Sequence, residues 1–180
     1  MLRKSELAFY YQDGASHIYP DTWEEYKEAI PIEERGDFVQ AYRKRLVGPD
    51  KEEQIKAARA WTKWENRTSN LTPPTGEVAG DEDKFALAFA RIENHYFVHG
   101  GFFEWETWIL DNVDKVRHIP CAIVHGRYDV VCPVKSAWDL KKVWPEADLH
   151  IVNDSGHSAV EPGNRSKLID FTEKFKNLPY

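Results

Sequence analysis

The chain has 180 residues, 42% of them hydrophobic and 30% charged, an ordinary composition for one globular unit long enough to bury a core. A formal net charge of −6, with no run of lysine or arginine, argues against a nucleic-acid surface. No stretch of about eighteen apolar residues is present to span a membrane, and Cys121 and Cys132 are too few for a disulfide framework.

In chain order, residues 1–20 read as a short helical turn and a loop that together enter a helical region. Asp21-Thr-Trp-Glu24 has the form of a capping box for a first clear helix, which Ile30-Pro31 ends. Phe38, Ala41, Tyr42 and Arg45/Leu46 mark a second amphipathic helix closed by Gly48. Asp50 caps a third, with Ile55, Ala58, Thr62 and Glu65 on one face and Ala57, Trp61 and Trp64 beside them. Residues 70–80, with Pro73-Pro74 and Gly76, read as a loop. Asp81 to about Tyr96 reads as a fourth helix with Phe85, Phe89, Ile92 and Tyr96 as its apolar stripe. The division predicted is an entry segment over 1–20, helices over 21–99 and a sheet-bearing part over 100–180, with Gly100-Gly101 marking the return.

The second part carries the chemistry. Ala122, Ile123 and Val124 read as a buried strand ended by Gly126, and Asp129 lies in the loop beyond it. A helix is predicted from Pro133 to Pro145, through Val134, Ala137, Trp138, Leu140, Val143 and Trp144. Leu149, Ile151 and Val152 give a second strand, with His157 in the loop after it. Leu168, Phe171, Phe175 and Leu178 give a closing helix that packs on the sheet. Strand, helix, strand is a parallel crossover, so Asp129 and His157 are expected at the same edge of one sheet. That edge is where open α/β sheets place their sites. An Asp beside a His there can hold the imidazole tautomer and stabilise the imidazolium.

The phrases HGRYDVVCP (125–133) and SGHS (155–158) resemble the acid and histidine loops of the proline iminopeptidases, serine peptidases of α/β-hydrolase fold. FYYQDGAS (9–16), AARAWTKWE (57–65) and FALAFARIENHYF (85–97) resemble the same family, so the similarity runs from about residue 2 to about residue 175. The fold implied is the C-terminal part of an α/β-hydrolase: a helical cap followed by the last βαβα of the parallel sheet. The resemblance implies Asp129 and His157 as catalytic acid and base. It implies Glu65 and Glu93 as the anchor for a substrate's free amino terminus, Tyr10 as lining the pocket for the proline ring, and Cys132 as a pocket-wall thiol that is not the nucleophile. The bland alternatives are a packed Tyr10, and glutamates that are solvated or paired with Arg59 and Arg91. The implied substrate is a peptide with a free N-terminal proline, with no cofactor.

One part of the family pattern is missing. The fold carries its nucleophile in a Gly-x-Ser-x-Gly elbow before the Asp and His, and no such sequence occurs here. Asp13-Gly-Ala-Ser16 and Ser155-Gly-His-Ser158 are the nearest imitations. The expectation is a C-terminal portion that lacks turnover by itself and needs the missing N-terminal part of the same fold. Rival readings are a non-catalytic fragment and another α/β-hydrolase of esterase or epoxide hydrolase type. His95 and His99 stand at i and i+4, but no glutamate completes HExxH, so no metal is expected. Reduced cysteines point to a cytoplasmic protein, pairing of the two being the alternative. Asn66, Asn70, Asn153 and Asn164 match the glycosylation acceptor pattern, but Asn153 stands four residues before His157, which favours chance.

Overall fold

In the computed structural model, residues 2–72, 82–176 and 178 are described. They fall into two compact units: residues 2–68 with 82–106, and residues 69–72 with 107–176 and 178. The loop predicted over 70–80 lies mostly outside the described residues, as does Asp81. Most of the structure is helical, with a small parallel sheet of two strands.

The first unit holds helices α1 (Lys4–Tyr11), α2 (Pro20–Glu28), α3 (Phe38–Leu46), α4 (Lys51–Thr68) and α5 (Asp83–Val98). The segment read as a helical turn is a full eight-residue helix, and Tyr10 sits in its last turn. The capping box expected at Asp21 does not form, because α2 already starts at Pro20. Proline is preset for the first helical position, where its missing N–H costs nothing. Caps do form at Asp37, which accepts from the Gln40 N–H, and at Asp50, which accepts from the Glu52 and Glu53 N–H groups.

Aromatic side chains build this unit's core. Tyr26, Tyr42, Trp61 and Trp64 have no exposed surface, with Tyr26 stacked on Tyr42 and Tyr11 stacked on Trp61, both at 4.6 Å between centroids. Each such ring removes a large apolar area from water, worth roughly 4–6 kcal/mol as an upper bound. The stripe predicted for α5 is a correction. Its buried residues are Ala86, Ala90 and Asn94, while Phe85, Ile92 and Tyr96 are exposed. Small residues let α5 approach its neighbours closely: Thr62 on α4 reaches the Ala86 carbonyl, and Asn94 donates to the Val39 carbonyl on α3. The bulkier positions are left on the outer side.

The second unit contains a short α6 (Trp108–Asp111), β1 (Ala122–Gly126), α7 (Lys135–Val143), β2 (Asp148–Val152) and α8 (Pro162–Phe175). The strands pair in parallel from Ala122 against Asp148 to Gly126 against Val152, as a crossover requires. Helix α7 starts at Lys135, two residues later than predicted. Strand β1 is half-buried rather than buried, because its sheet has two strands among the described residues. Trp144, Ala147 and Val113 form a small core against Ile123, Leu140 and Cys121. The face predicted to pack α8 is partly open: Leu168 is exposed, and Asn164 is the helix's buried residue.

Candidate active site

In the second unit, the pairing of β1 with β2 continues into the loops beyond them. Arg127 N–H donates to the Val152 carbonyl and Tyr128 N–H to the Ser155 carbonyl. Gly126 makes this possible. A Cβ there would lie 1.9 Å from the Gly156 carbonyl oxygen and 2.5 Å from that of Ser155, so only glycine lets the loops meet.

That meeting brings Asp129 and His157 together. Asp129 is 8% exposed. Its Oδ2 lies 3.0 Å from His157 Nδ1, and its Oδ1 accepts from the Cys132 N–H at 2.7 Å. The His157 side chain is 39% exposed. Partial burial pulls its pKa down, but hydrogen bonds to Asp129 and to the Cys132 side chain, with the Asp129 charge, win and push it up to about 10. With Nδ1 turned to the carboxylate, the opposite nitrogen, Nε2, is the one suited to exchange a proton with a nucleophile.

Three residues that the sequence reading passed over brace this pair. Asn164, in the first turn of α8, donates to the Gly156 and Ser158 carbonyls on either side of His157. Glu161 accepts from the Gly156 N–H and, through its other oxygen, from the Leu71 N–H. His125 on β1 places Nε2 2.7 Å from the Cys132 carbonyl. Asn164 drew notice in the sequence only as a glycosylation match; buried as it is, it cannot present an acceptor in this fold. His125 precedes Gly126 in the motif itself, which was the available signal.

In the first unit, Glu65 is 5% exposed. Tyr11 donates its hydroxyl to Glu65 Oε1; the Tyr10 hydroxyl donates to Oε2 at 3.1 Å and lies 2.6 Å from Thr68 Oγ1. Burial and then the Glu65 charge raise both phenol pKa values well above 10, so both stay protonated donors. Glu93 is half-buried on α5, and its Oε2 accepts from Trp61 Nε1 at 2.9 Å. Phe97 contacts both Tyr11 and Trp61. The structure thus gathers Tyr10, Glu65 and Glu93 around one aromatic cluster in one unit, and Asp129, Cys132 and His157 in the other.

Cys121 and Cys132 are free thiols, each half-buried. Among the described residues, no helix is long and apolar enough to cross a membrane.

No family model matches the chain. Curated relatives do. It is 57% identical over 180 residues to the proline iminopeptidase of Arabidopsis thaliana, covering 99% of this chain and 47% of that protein. It is 53% identical over 176 residues to that of Xanthomonas citri, covering 97% and 56%. It is 41% identical over 175 residues to that of Neisseria gonorrhoeae, covering 96% and 55%. The chain spans about half the length of the curated relatives it matches. By sequence it is similar over nearly all of its length to the proline iminopeptidases, and what it shares with each of them is the C-terminal part.

Proposed function

We propose that this chain carries the acid and base of a serine aminopeptidase that releases N-terminal proline from peptides. The observation behind the proposal is the 3.0 Å contact between Asp129 Oδ2 and His157 Nδ1 at the ends of adjacent parallel strands. In this reading the neutral form of His157, the minority form below about pH 10 in this chain, takes the proton of a serine hydroxyl at Nε2 as the serine attacks the amide carbonyl. His157 then returns that proton to the leaving amine, while Asp129 stays ionised and stabilises the imidazolium. The serine belongs to a Gly-x-Ser-x-Gly elbow outside this sequence, and the two strands belong to the larger parallel sheet of an α/β-hydrolase.

Glu65 and Glu93 then supply the negative charge that selects a free amino terminus, which makes the enzyme an aminopeptidase. Burying a carboxylate among aromatic rings is costly without donors or a cation to meet it. Tyr10 lines the proline pocket, and Cys132 stands in a pocket wall. A fully ionised amino group on the peptide is the cation this arrangement suits. Reduced thiols accord with a cytoplasmic location.

The test is expression of the chain with and without the N-terminal part of a proline iminopeptidase that carries the elbow, assayed on proline β-naphthylamide with His157→Ala as control. Turnover is expected only in the combined protein, and is lost with His157→Ala. Turnover by the chain alone would require a nucleophile among its own residues, with Ser16, Ser158 and Cys132 the first to replace. The absence of any Gly-x-Ser-x-Gly favours a second reading, a non-catalytic binding remnant. A combined protein that assembles but turns over neither this substrate nor p-nitrophenyl acetate would favour that reading; turnover of the ester alone would point to an esterase.

A further inference from the structure

We infer that His125 is a positioning residue that locks the turn carrying Asp129, giving its Nε2 hydrogen to the Cys132 carbonyl and sharing it with the Asp129 carboxylate. This deepens the acid–base reading of Asp129 and His157 and rests on it. The geometry is a closed ring of contacts. His125 Nε2 lies 2.7 Å from the Cys132 carbonyl oxygen and 3.3 Å from Asp129 Oδ2. A carbonyl only accepts, so Nε2 carries the hydrogen in the neutral ring. The Cys132 N–H donates in turn to Asp129 Oδ1 at 2.7 Å. Residue 132 is therefore fixed through both its backbone groups, one to the imidazole and one to the carboxylate.

The anchor sits in a strand and the turn does not. His125 lies within β1, in register with Ile151 of β2, and its side chain is only 15% exposed. Residues 129–132 lie beyond the strand, without regular structure of their own. Sites hung on strands hold their geometry better than sites on loops, so a strand residue that grips the loop passes that precision to Asp129. The same Oδ2 that receives His125 receives His157 Nδ1. Without the grip, the Cys132 carbonyl loses a donor, the turn is free to swing, and Asp129 no longer faces His157. The titratable groups set around this ring are Asp129, His157 and Cys132, with Glu161 reaching the base of the His157 loop through the Gly156 N–H.

The test reads histidine protonation by nitrogen-15 NMR in the chain as it stands, and needs no turnover. In the native chain the neutral His125 ring is expected as the Nε2–H tautomer; the Nδ1–H tautomer would overturn the proposal. Three variants follow. His125→Gln puts an amide nitrogen near the position of Nε2, His125→Leu fills the space without a donor, and His125→Asn has a donor that falls short. His125→Gln should leave the His157 titration midpoint close to native. His125→Leu and His125→Asn should lower it, with His157 holding its proton at least roughly tenfold less tightly. A midpoint in His125→Leu that is unchanged or raised overturns the proposal, as does a fall in His125→Gln as large as in His125→Leu. If His125→Leu does not fold, the contrast between Gln and Asn decides, together with the native tautomer. A chain that never cleaves a proline substrate can still pass this test, and an active one can fail it.

Discussion

Glu65 and Asp129 are both carboxylates taken almost out of water, and the two units hold them with different kinds of partner. Glu65 meets phenols inside an aromatic cluster, and burial keeps those phenols protonated at any ordinary pH. Asp129 meets a backbone N–H and two imidazoles, and one of those rings is well exposed to solvent. The first arrangement fixes a charge in place. The second lets a proton come and go beside a fixed charge. A buried carboxylate is thus not one kind of site; what it can do depends on whether its donors titrate.

The largest effect is expected at Glu65. Glu65→Leu leaves the Tyr11 phenol buried without its acceptor and weakens the bonding of Tyr10, costing about 2–4 kcal/mol in urea unfolding. Replacing all three polar ends at once, with Tyr10→Phe and Tyr11→Phe added, should recover much of that loss, because neither phenol is then orphaned. A triple variant less stable than Glu65→Leu would break this account of the first unit.

Asp129→Asn comes next, and it tests the other side of the comparison. It should bring the His157 midpoint down from about 10 towards the ordinary histidine value, since two of the causes raising it come from Asp129. The sign for stability follows from a folded pKa above the unfolded one. The contribution is fully present below about pH 6.5 and is lost as pH rises through about 10. Native protein should therefore lose stability across that window relative to Asp129→Asn, as urea midpoints taken from pH 6 to pH 10.5 would reveal. Equal pH profiles for the two proteins would mean that the pair does not hold its proton as described.

Asn164→Ala is a smaller step. It removes the donor to the Gly156 and Ser158 carbonyls, and should cost about 1–2 kcal/mol while loosening the His157 loop. Faster amide exchange confined to residues around 156–158 is the expected signature. The smallest change is Cys132→Ala, which takes away one of the lesser supports of the His157 proton. Its His157 midpoint should fall by less than in Asp129→Asn; a larger fall would make the thiol, not the carboxylate, the main partner of His157.

Much of this was legible in the sequence because it is local. The parallel crossover follows from two short apolar runs with a helical pattern between them, and Asp50 caps the helix that follows it. What failed depended on contacts that residue spacing does not specify. The large side chains Phe85, Ile92 and Tyr96 mark a stripe by spacing, yet Ala86 and Ala90 win the inner face because closely packed helices leave room only for small residues. The loops carrying Asp129 and His157 could be placed at one sheet edge from their motifs. The braces from Asn164 and Glu161 could not, since each is a polar side chain whose role appears only once the loops fold back, whereas His125 stood within the motif and was passed over.

The crossing at Gly126 has a consequence for how such a chain can vary. Every change of a glycine codon to another amino acid adds at least one carbon, and here that carbon would fall 1.9 Å from the Gly156 oxygen. Heavy atoms do not come closer than about 3 Å in such contacts, so the two loops would have to part by more than 1 Å. A misplacement of that size costs roughly 10²-fold where reacting groups must align. Position 126 takes no part in any bond-making step, yet inheritance cannot alter it without moving two loops at once. Residues within either loop can drift one at a time; the point where the loops cross cannot, and a survey of viable variants should find it the least permissive position in the strand.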